Sequence, residues 1–126
     1  MCGIVGIYSE NHVASSIYDS LLMLQHRGQD AAGMSVCDST GKINSRKSMG
    51  YVRDTFHQGH MSRLLGNYGI GHVRYPTAGG GGKEFAQPMY VNSPYGISIA
   101  HNGNLTNSKT LARELFHAEM RHLNTD

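Results

Sequence analysis

The sequence predicts a single α+β domain in which antiparallel strand pairs combine with amphipathic helices. A β-branched apolar run opens the chain, a helical apolar period follows it, and the later strands come in pairs around turns. The 126 residues suffice for one domain with a core, and 39% hydrophobic residues with a net charge of +2 are typical of an ordinary globular protein. These patterns predict the α+β class and no finer architecture.

The first half of the chain is predicted to form a strand, a helix and a hairpin. Val13, Ile17, Leu21 and Leu24 recur at spacings of four, four and three, which predicts an amphipathic helix over residues 13–26 capped by Asn11 or a neighbour. The predicted elements are a buried strand at Gly3–Tyr8, a strand at Ala31–Cys37, a turn at Asp38–Lys42, a partner strand at Ile43–Lys47, and one or two short helices in Tyr51–Leu65.

The second half of the chain predicts further strands around a glycine tract. Gly79–Gly82 offers no side chain for packing and has a large backbone entropy, so we expect a mobile loop there. The other predicted elements are strands at Asn67–Tyr75, Met89–Asn92 and Tyr95–Ala100, and a helix from Thr106 or Asn107 to about Arg121 with apolar rows at Leu111/Leu115 and Ala112/Phe116/Met120.

Composition argues against several classes of protein. No stretch approaches the roughly 20 apolar residues of a membrane span, and no signal peptide opens the chain, so a cytoplasmic protein is expected. No run of Lys and Arg suggests a nucleic-acid or membrane surface. Cys2 and Cys37 are expected to be thiols, with Cys37 in the core. His57 and His60 lack a neighbouring cysteine or carboxylate, so no metal site is predicted.

Cys2 is the first candidate functional residue. If an aminopeptidase removes Met1, Cys2 carries both a thiol and a free α-amine, whose ordinary pKa of about 7.7–8.0 lets it relay the thiol proton at neutral pH. One residue would then hold nucleophile and base. The alternative is a small apolar residue at the start of a strand, because free cysteines are usually buried and inert.

Three polar clusters accompany Cys2, at residues 26–30 (HRGQD), 71–77 (GHVRYPT) and 100–107 (AHNGNLTN). Singly, each has an ordinary explanation: an Arg27–Asp30 ion pair in a turn, a solvated Arg74 at a strand end, and a hairpin turn at Asn102–Gly103. Together they supply what an amide hydrolase needs. A side-chain amide and a backbone N–H can face a developing oxyanion, and a guanidinium matches an α-carboxylate.

These blocks resemble a known family. The segments CGIVGIY, LQHRGQDAAG, GIGHVRYPTAG and QPMYVNSPYGISIAHNGNLTN are similar to the class II glutamine amidotransferase domain, and among its branches to the glutamine phosphoribosylpyrophosphate amidotransferases, which make phosphoribosylamine in purine synthesis. The glucosamine-6-phosphate synthase branch would read closer to YRGYDSAG and GHTRWATHG, and the asparagine synthetase branch closer to RGPD and NGEIYN. The resemblance runs from Cys2 to the last residues.

The resemblance implies a role for each cluster. Cys2 would attack the carboxamide of L-glutamine, release ammonia and leave a thioester for water to hydrolyse. The other implied site residues are Asn102 and Gly103 for the oxyanion, Arg74 and Thr77 for substrate binding, and Arg27, Gly28 and Asp30 as support around the nucleophile. The glycine tract would belong to a loop that closes over bound glutamine.

The resemblance also implies a fold and partners. The fold would be the N-terminal-nucleophile hydrolase sandwich, an αββα arrangement of two antiparallel sheets between helix layers, incomplete at the C-terminus. No cofactor is implied within this chain, and magnesium only for a phosphoribosyltransferase domain that also binds phosphoribosylpyrophosphate. A homo-oligomer is implied for the full-length protein, with no nucleic acid and no membrane as partners.

The family's glutaminase domain continues well beyond residue 126, so the sequence is expected to be its N-terminal part, residues 1–126, without the remainder or the phosphoribosyltransferase domain. Asp126 falls short of the family's amine-binding aspartate and is not assigned that role. Three alternatives to the purine glutaminase stay open: an inactive fragment, a non-catalytic binding or assembly module, and the glutaminase of another amidotransferase.

Overall fold

The computed structural model describes residues 1–76 and 82–120. Within those ranges the chain forms strands β1 Gly3–Tyr8, β2 Ala31–Cys37, β3 Ile43–Met49, β4 Tyr68–Arg74, β5 Met89–Val91 and β6 Ile97–Ile99, and helices α1 Ala14–Met23, α2 Val52–Thr55, α3 Gln58–Met61 and α4 Ser108–His117. Short 3₁₀ turns occupy Gln25–Arg27 and Lys83–Phe85. This content confirms the predicted α+β class. The expected loop at Gly79–Gly82 lies outside the described residues except for Gly82.

The larger sheet has four antiparallel strands in the order β1-β4-β2-β3. All seven residues of the central strand β2 are buried, as its uninterrupted small and apolar sequence requires. Strand β1 lies at the edge, and only its first residue, Gly3, is buried. The prediction of a buried first strand was therefore wrong, because an edge strand leaves alternate side chains in solvent.

The core lies between this sheet and α1. Ile17 and Leu21 on α1 are completely buried, and they pack with alternate residues of β2 and with α2 and its surroundings. The apolar period thus predicted the correct helix face. The predicted cap was wrong: Val13 occupies the N-cap without a side-chain hydrogen bond, and the N–H of Asn11 donates to Ser9 Oγ.

A second, two-stranded antiparallel sheet of β5 and β6 lies over the opposite face of the first. Contacts among the described residues join the layers. Lys47 Nζ donates to the carbonyl oxygen of Ala86 at 2.6 Å. A methyl group added to Gly33 would lie only 2.1 Å from the carbonyl oxygen of Gln87, so this close approach requires glycine. A methyl group on Gly96 would touch Ile43. Helix α1, the four-stranded sheet and this second sheet are successive layers of the expected sandwich.

Helix α4 forms where its apolar rows predicted it, although it is shorter than expected. Asn107 is its N-cap but makes no side-chain capping bond, and none of the residues of α4 is buried. Phe116 is 59% exposed. The amphipathic pattern therefore predicted a helix whose apolar side is only partly covered, with Leu111 and Ala112 half-buried and Leu115 and Phe116 exposed. None of the described helices is both long and apolar enough to cross a membrane.

Candidate active site

Cys2 lies where the edge strand β1 begins, beside the end of β4. The register pairs Gly3 with Val73, so the residue before Gly3 comes next to Arg74 and Tyr75. The N–H of Tyr75 points at Cys2 Sγ at 3.4 Å, and Sγ lies 3.9 Å from the carbonyl oxygen of Tyr75. Cys2 is 8% exposed, whereas Met1 is 74% exposed. The thiol is therefore held by backbone, with its N-terminal neighbour open to solvent.

The turn after α1 supports the nucleophile from behind. Arg27 Nε donates to the carbonyl oxygen of Cys2 at 3.0 Å, which fixes the peptide that follows the thiol. Gly28 packs directly on the backbone of β4: a methyl group there would lie 2.6 Å from the carbonyl carbon of Arg74. Gln25 Nε2 donates to the carbonyl oxygen of Gly28 at 2.6 Å, and Gln25 Oε1 accepts the N–H of Val52 at 2.8 Å.

Arg74 is buried and forms an ion pair with Asp30. Its guanidinium carbon also lies 5.5 Å from the centre of the Phe85 ring, a cation–π arrangement. Two ordinary explanations offered by the sequence are therefore wrong: Asp30 pairs across the sheet with Arg74 rather than with Arg27, and Arg74 is not a solvated strand end. Thr77, the other residue predicted to bind substrate, lies outside the described residues.

The third cluster meets Cys2 and the second cluster at a cavity of about 480 Å³. Asn102 and Gly103 follow β6, and the chain then enters α4 rather than a partner strand, so the pair is not a β-hairpin turn. The cavity is lined by Met1, Cys2, Arg74, Tyr75, Gln87, His101, Asn102, Gly103 and Asn104. The structure thus brings a thiol, a guanidinium and a carboxamide from three distant segments to the walls of one cavity. Arg27, Gly28 and Asp30 lie behind those walls.

Sequence reasoning missed two residues beside this cavity. Gln87 Oε1 accepts the backbone N–H of His101 at 2.6 Å. His72 on β4 is completely buried, and neither ring nitrogen forms a hydrogen bond with any of the described residues. Burial lowers the pKa of His72 to about 4, opposed in part by the backbone of His101 beside it, so the ring is neutral at pH 7. A lone glutamine and a strand histidine carry no pattern that would single them out.

Comparison with known proteins gives a consistent answer. The chain is 58% identical, over all 126 residues, to amidophosphoribosyltransferase of Pseudomonas aeruginosa. It is 58% identical over 125 residues to that of Escherichia coli and 52% identical over 129 residues to that of Saccharomyces cerevisiae. The chain is a homologue of the N-terminal part of amidophosphoribosyltransferase. No protein-family model matches it.

Solved amidophosphoribosyltransferase structures share the fold. The Bacillus subtilis enzyme, glutamine phosphoribosylpyrophosphate amidotransferase complexed with ADP and GMP, superimposes with a TM-score of 0.84 at 32% identity, covering 100% of this chain and 27% of that one. A structure described as the allosteric regulatory enzyme of purine biosynthesis gives a TM-score of 0.87 at 35% identity, covering 99% of this chain and 27% of that one. The expected glutamine amidotransferase sandwich is thereby confirmed as the fold class.

The chain spans about a quarter of the length of its amidophosphoribosyltransferase relatives, 25% in each of the three named above. The cavity described here therefore belongs to the part of the molecule that corresponds to the glutamine amidotransferase domain. Within residues 1–76 and 82–120 no three His, Cys, Asp or Glu side chains gather in an arrangement that could hold a metal ion.

Proposed function

We propose that this chain is the N-terminal part of a type 2 glutamine amidotransferase domain and carries the glutaminase chemistry of an amidophosphoribosyltransferase. It would hydrolyse L-glutamine and supply ammonia for 5-phosphoribosylamine formation in purine synthesis. The observation that supports this most directly is the shared cavity of Cys2, Arg74, Asn102 and Gly103, because these residues carry the groups required for amide hydrolysis.

The nucleophile is Cys2 in the form without Met1. While Met1 is present, the nitrogen of Cys2 is a peptide nitrogen and cannot act as a base. Removal of the exposed Met1 leaves an α-amine that takes the thiol proton, directly or through a water. The Tyr75 N–H at 3.4 Å stabilises negative charge on the sulfur, and Arg27 holds the adjacent carbonyl.

Attack on glutamine then follows a two-step course. Sulfur bonds to the carboxamide carbon, the C–N bond breaks, and the nitrogen leaves as ammonia with the proton returned from the α-amine. Water then attacks the γ-glutamyl thioester, which releases glutamate and restores the thiol. In both steps the carbonyl oxygen becomes an oxyanion, for which the Asn102 side-chain amide and the Gly103 N–H are the donors.

Arg74 binds the α-carboxylate of glutamine, with Thr77 assisting. The ion pair with Asp30 and the Phe85 ring hold the guanidinium plane before substrate arrives. A bidentate pair with a carboxylate depends on that plane, since two N–H groups must point together. Asp30 thereby acts as a supporting residue, and Gly28 keeps the end of β4 close to the turn.

The wider assignment follows from the relatives and is part of the same proposal. Phosphoribosylpyrophosphate and magnesium would be bound by a phosphoribosyltransferase domain that lies outside these 126 residues. The whole protein would work as a homo-oligomer in the cytoplasm.

The test uses 6-diazo-5-oxo-L-norleucine, a glutamine mimic that alkylates the nucleophile, followed by intact mass and peptide mapping. We expect loss of the Met1 mass and a single adduct on Cys2. Cys37 is an internal control, because it is also 8% exposed yet lies away from the cavity. Labelling of Cys2 alone therefore reports activation rather than access.

Matched variants complete the test. Cys2→Ala should abolish both labelling and glutamine hydrolysis, a loss of at least about 1,000-fold in kcat. Cys37→Ala should retain both. Equal labelling of the two cysteines, or hydrolysis that survives Cys2→Ala, would disprove the assignment.

A further inference from the structure

The segment that contains Gln87 is held against the four-stranded sheet by a hydrogen bond and a close backbone contact. The preceding residue, Ala86, is completely buried, and its carbonyl oxygen accepts the hydrogen bond from Lys47 Nζ. The carbonyl of Gln87 sits on Gly33 of β2, where no side chain would fit. Burial lowers the pKa of Lys47, which is the expected effect of covering an ammonium group with this segment. The backbone of Gln87 is therefore fixed to the rigid layer of the molecule.

The side chain of Gln87 reaches the other layer. Its Oε1 lies 2.6 Å from the backbone nitrogen of His101, the residue immediately before Asn102 and Gly103. A short hydrogen bond to that N–H fixes the peptide plane from which the next two residues continue. His72, which pairs with Gly33 in the register of β2 and β4, also lies against the backbone of His101.

We propose that Gln87 is a positioning residue for the oxyanion donors: its side-chain oxygen holds the His101 peptide so that the Asn102 amide and the Gly103 N–H face Cys2. This inference rests on the proposed glutaminase function. Gln87 itself is half-buried and lines the cavity together with Arg74 and His101. It thus ties donors on one sheet to a nucleophile on the other.

The test compares Gln87→Met, which keeps the size but removes the acceptor, with Gln87→Glu, which keeps an acceptor oxygen. Both variants are made in the full-length protein that contains this sequence. We expect Gln87→Met to lower the kcat for glutamine hydrolysis by about 10- to 100-fold with KM within about threefold, because misplaced donors weaken the transition state rather than substrate binding. Gln87→Glu should keep kcat within about threefold, and its charge near Arg74 should raise KM.

Gln58→Met is the matched control, since Gln58 is exposed on α3 and remote from the cavity. A second measurement does not depend on turnover: hydrogen exchange of the His101 amide should be at least about tenfold faster in Gln87→Met than in the unmodified protein or Gln58→Met. Thermal unfolding of each variant identifies any general loss of folding.

The outcomes separate the two proposals. A wild-type protein that neither hydrolyses glutamine nor labels at Cys2 overturns the proposed function, and the catalytic role of Gln87 with it. An active wild type with an unaltered Gln87→Met kcat, or with unchanged exchange at His101, overturns only the role of Gln87. Equal defects in Gln87→Met and Gln87→Glu do so as well, because the acceptor oxygen would then be irrelevant.

Discussion

The two parts of the molecule that bring residues to the cavity are packed very differently. Residues 1–76 contain the whole core around α1, with side chains such as Ile17 and Leu21 completely buried. In residues 82–120 most apolar side chains remain exposed to solvent; Ile99 and Leu105, for example, are each 61% exposed. Burial of apolar area is the main stabilising contribution to folding, so the first part is the stable frame of the described chain.

The difference in packing divides the chemical groups of the site between the two parts. Cys2 and Arg74 belong to the frame and are held by Tyr75, Arg27 and Asp30. The proposed oxyanion donors lie in the loosely packed part and depend on few contacts. We infer that the nucleophile and the carboxylate-binding cation are arranged before substrate arrives, whereas the position of the oxyanion donors is the more easily adjusted element.

The largest expected effect tests the packing difference itself with two leucines on helices. Leu21→Ala should lower the free energy of unfolding by about 2–5 kcal/mol, because it leaves a cavity in a completely buried site. Leu115→Ala on α4, where the side chain is 39% exposed, should change it by less than about 1 kcal/mol. Urea denaturation of both variants measures this. Equal losses would mean that α4 packs as firmly as α1 and that the contrast drawn here is wrong.

A smaller effect is expected from His72, which lies on β4 at the boundary between the two parts. Its pKa is lowered from 6.5 to about 4 by burial, with the positive charges of Arg74 and His101 acting in the same direction. His72 is therefore protonated below about pH 6.5 in the unfolded chain, but only below about pH 4 in the folded chain. Stability from this residue is complete above pH 6.5 and falls as the pH drops toward 4, by about 2 kcal/mol at pH 5.

The measurement is urea denaturation at pH 7.5 and pH 5.0 for the wild type and His72→Met. The variant should lose that part of the pH dependence. His117→Met is the control, because His117 is exposed on α4 and should leave the pH dependence unchanged. A His72→Met protein that weakens at pH 5.0 as steeply as the wild type would show that other groups cause the effect.

What could be predicted from sequence follows the same division. The bounds of β2 were predicted to the residue, and Ile17 and Leu21 were assigned to the correct face, because burial imposes a periodic pattern on the frame. In the exposed part the same pattern predicted α4 but could not show that none of its apolar residues is fully buried. Periodicity reports that a side chain is apolar, not what it touches.

Contacts of the site were predictable only where a motif carried them. The clusters around Arg74 and Asn102 do meet Cys2 at one cavity. Local reasoning paired Asp30 with Arg27 because the two are neighbours in sequence, whereas the sheet register places Asp30 beside Arg74. The bond from His101 to Gln87 joins residues 14 positions apart that lie opposite each other when the register of the β5–β6 hairpin is continued, and no sequence pattern marks a lone glutamine as its acceptor.

The last comparison uses two glycines, one from each part, and the smallest change is expected at the second. Gly28→Ala should destabilise the fold by about 1–3 kcal/mol, because the new methyl group meets the backbone of Val73 and Arg74 at 2.6–2.7 Å and a strand backbone cannot move aside. Gly103→Ala meets only the His101 ring, at 3.0–3.1 Å, and a side chain can turn away. Its melting temperature should therefore lie within about 2 °C of the wild type. If Gly103→Ala were the more destabilising of the two, the oxyanion segment would be as rigidly held as the nucleophile, and the inference that it is the adjustable half of the site would fail.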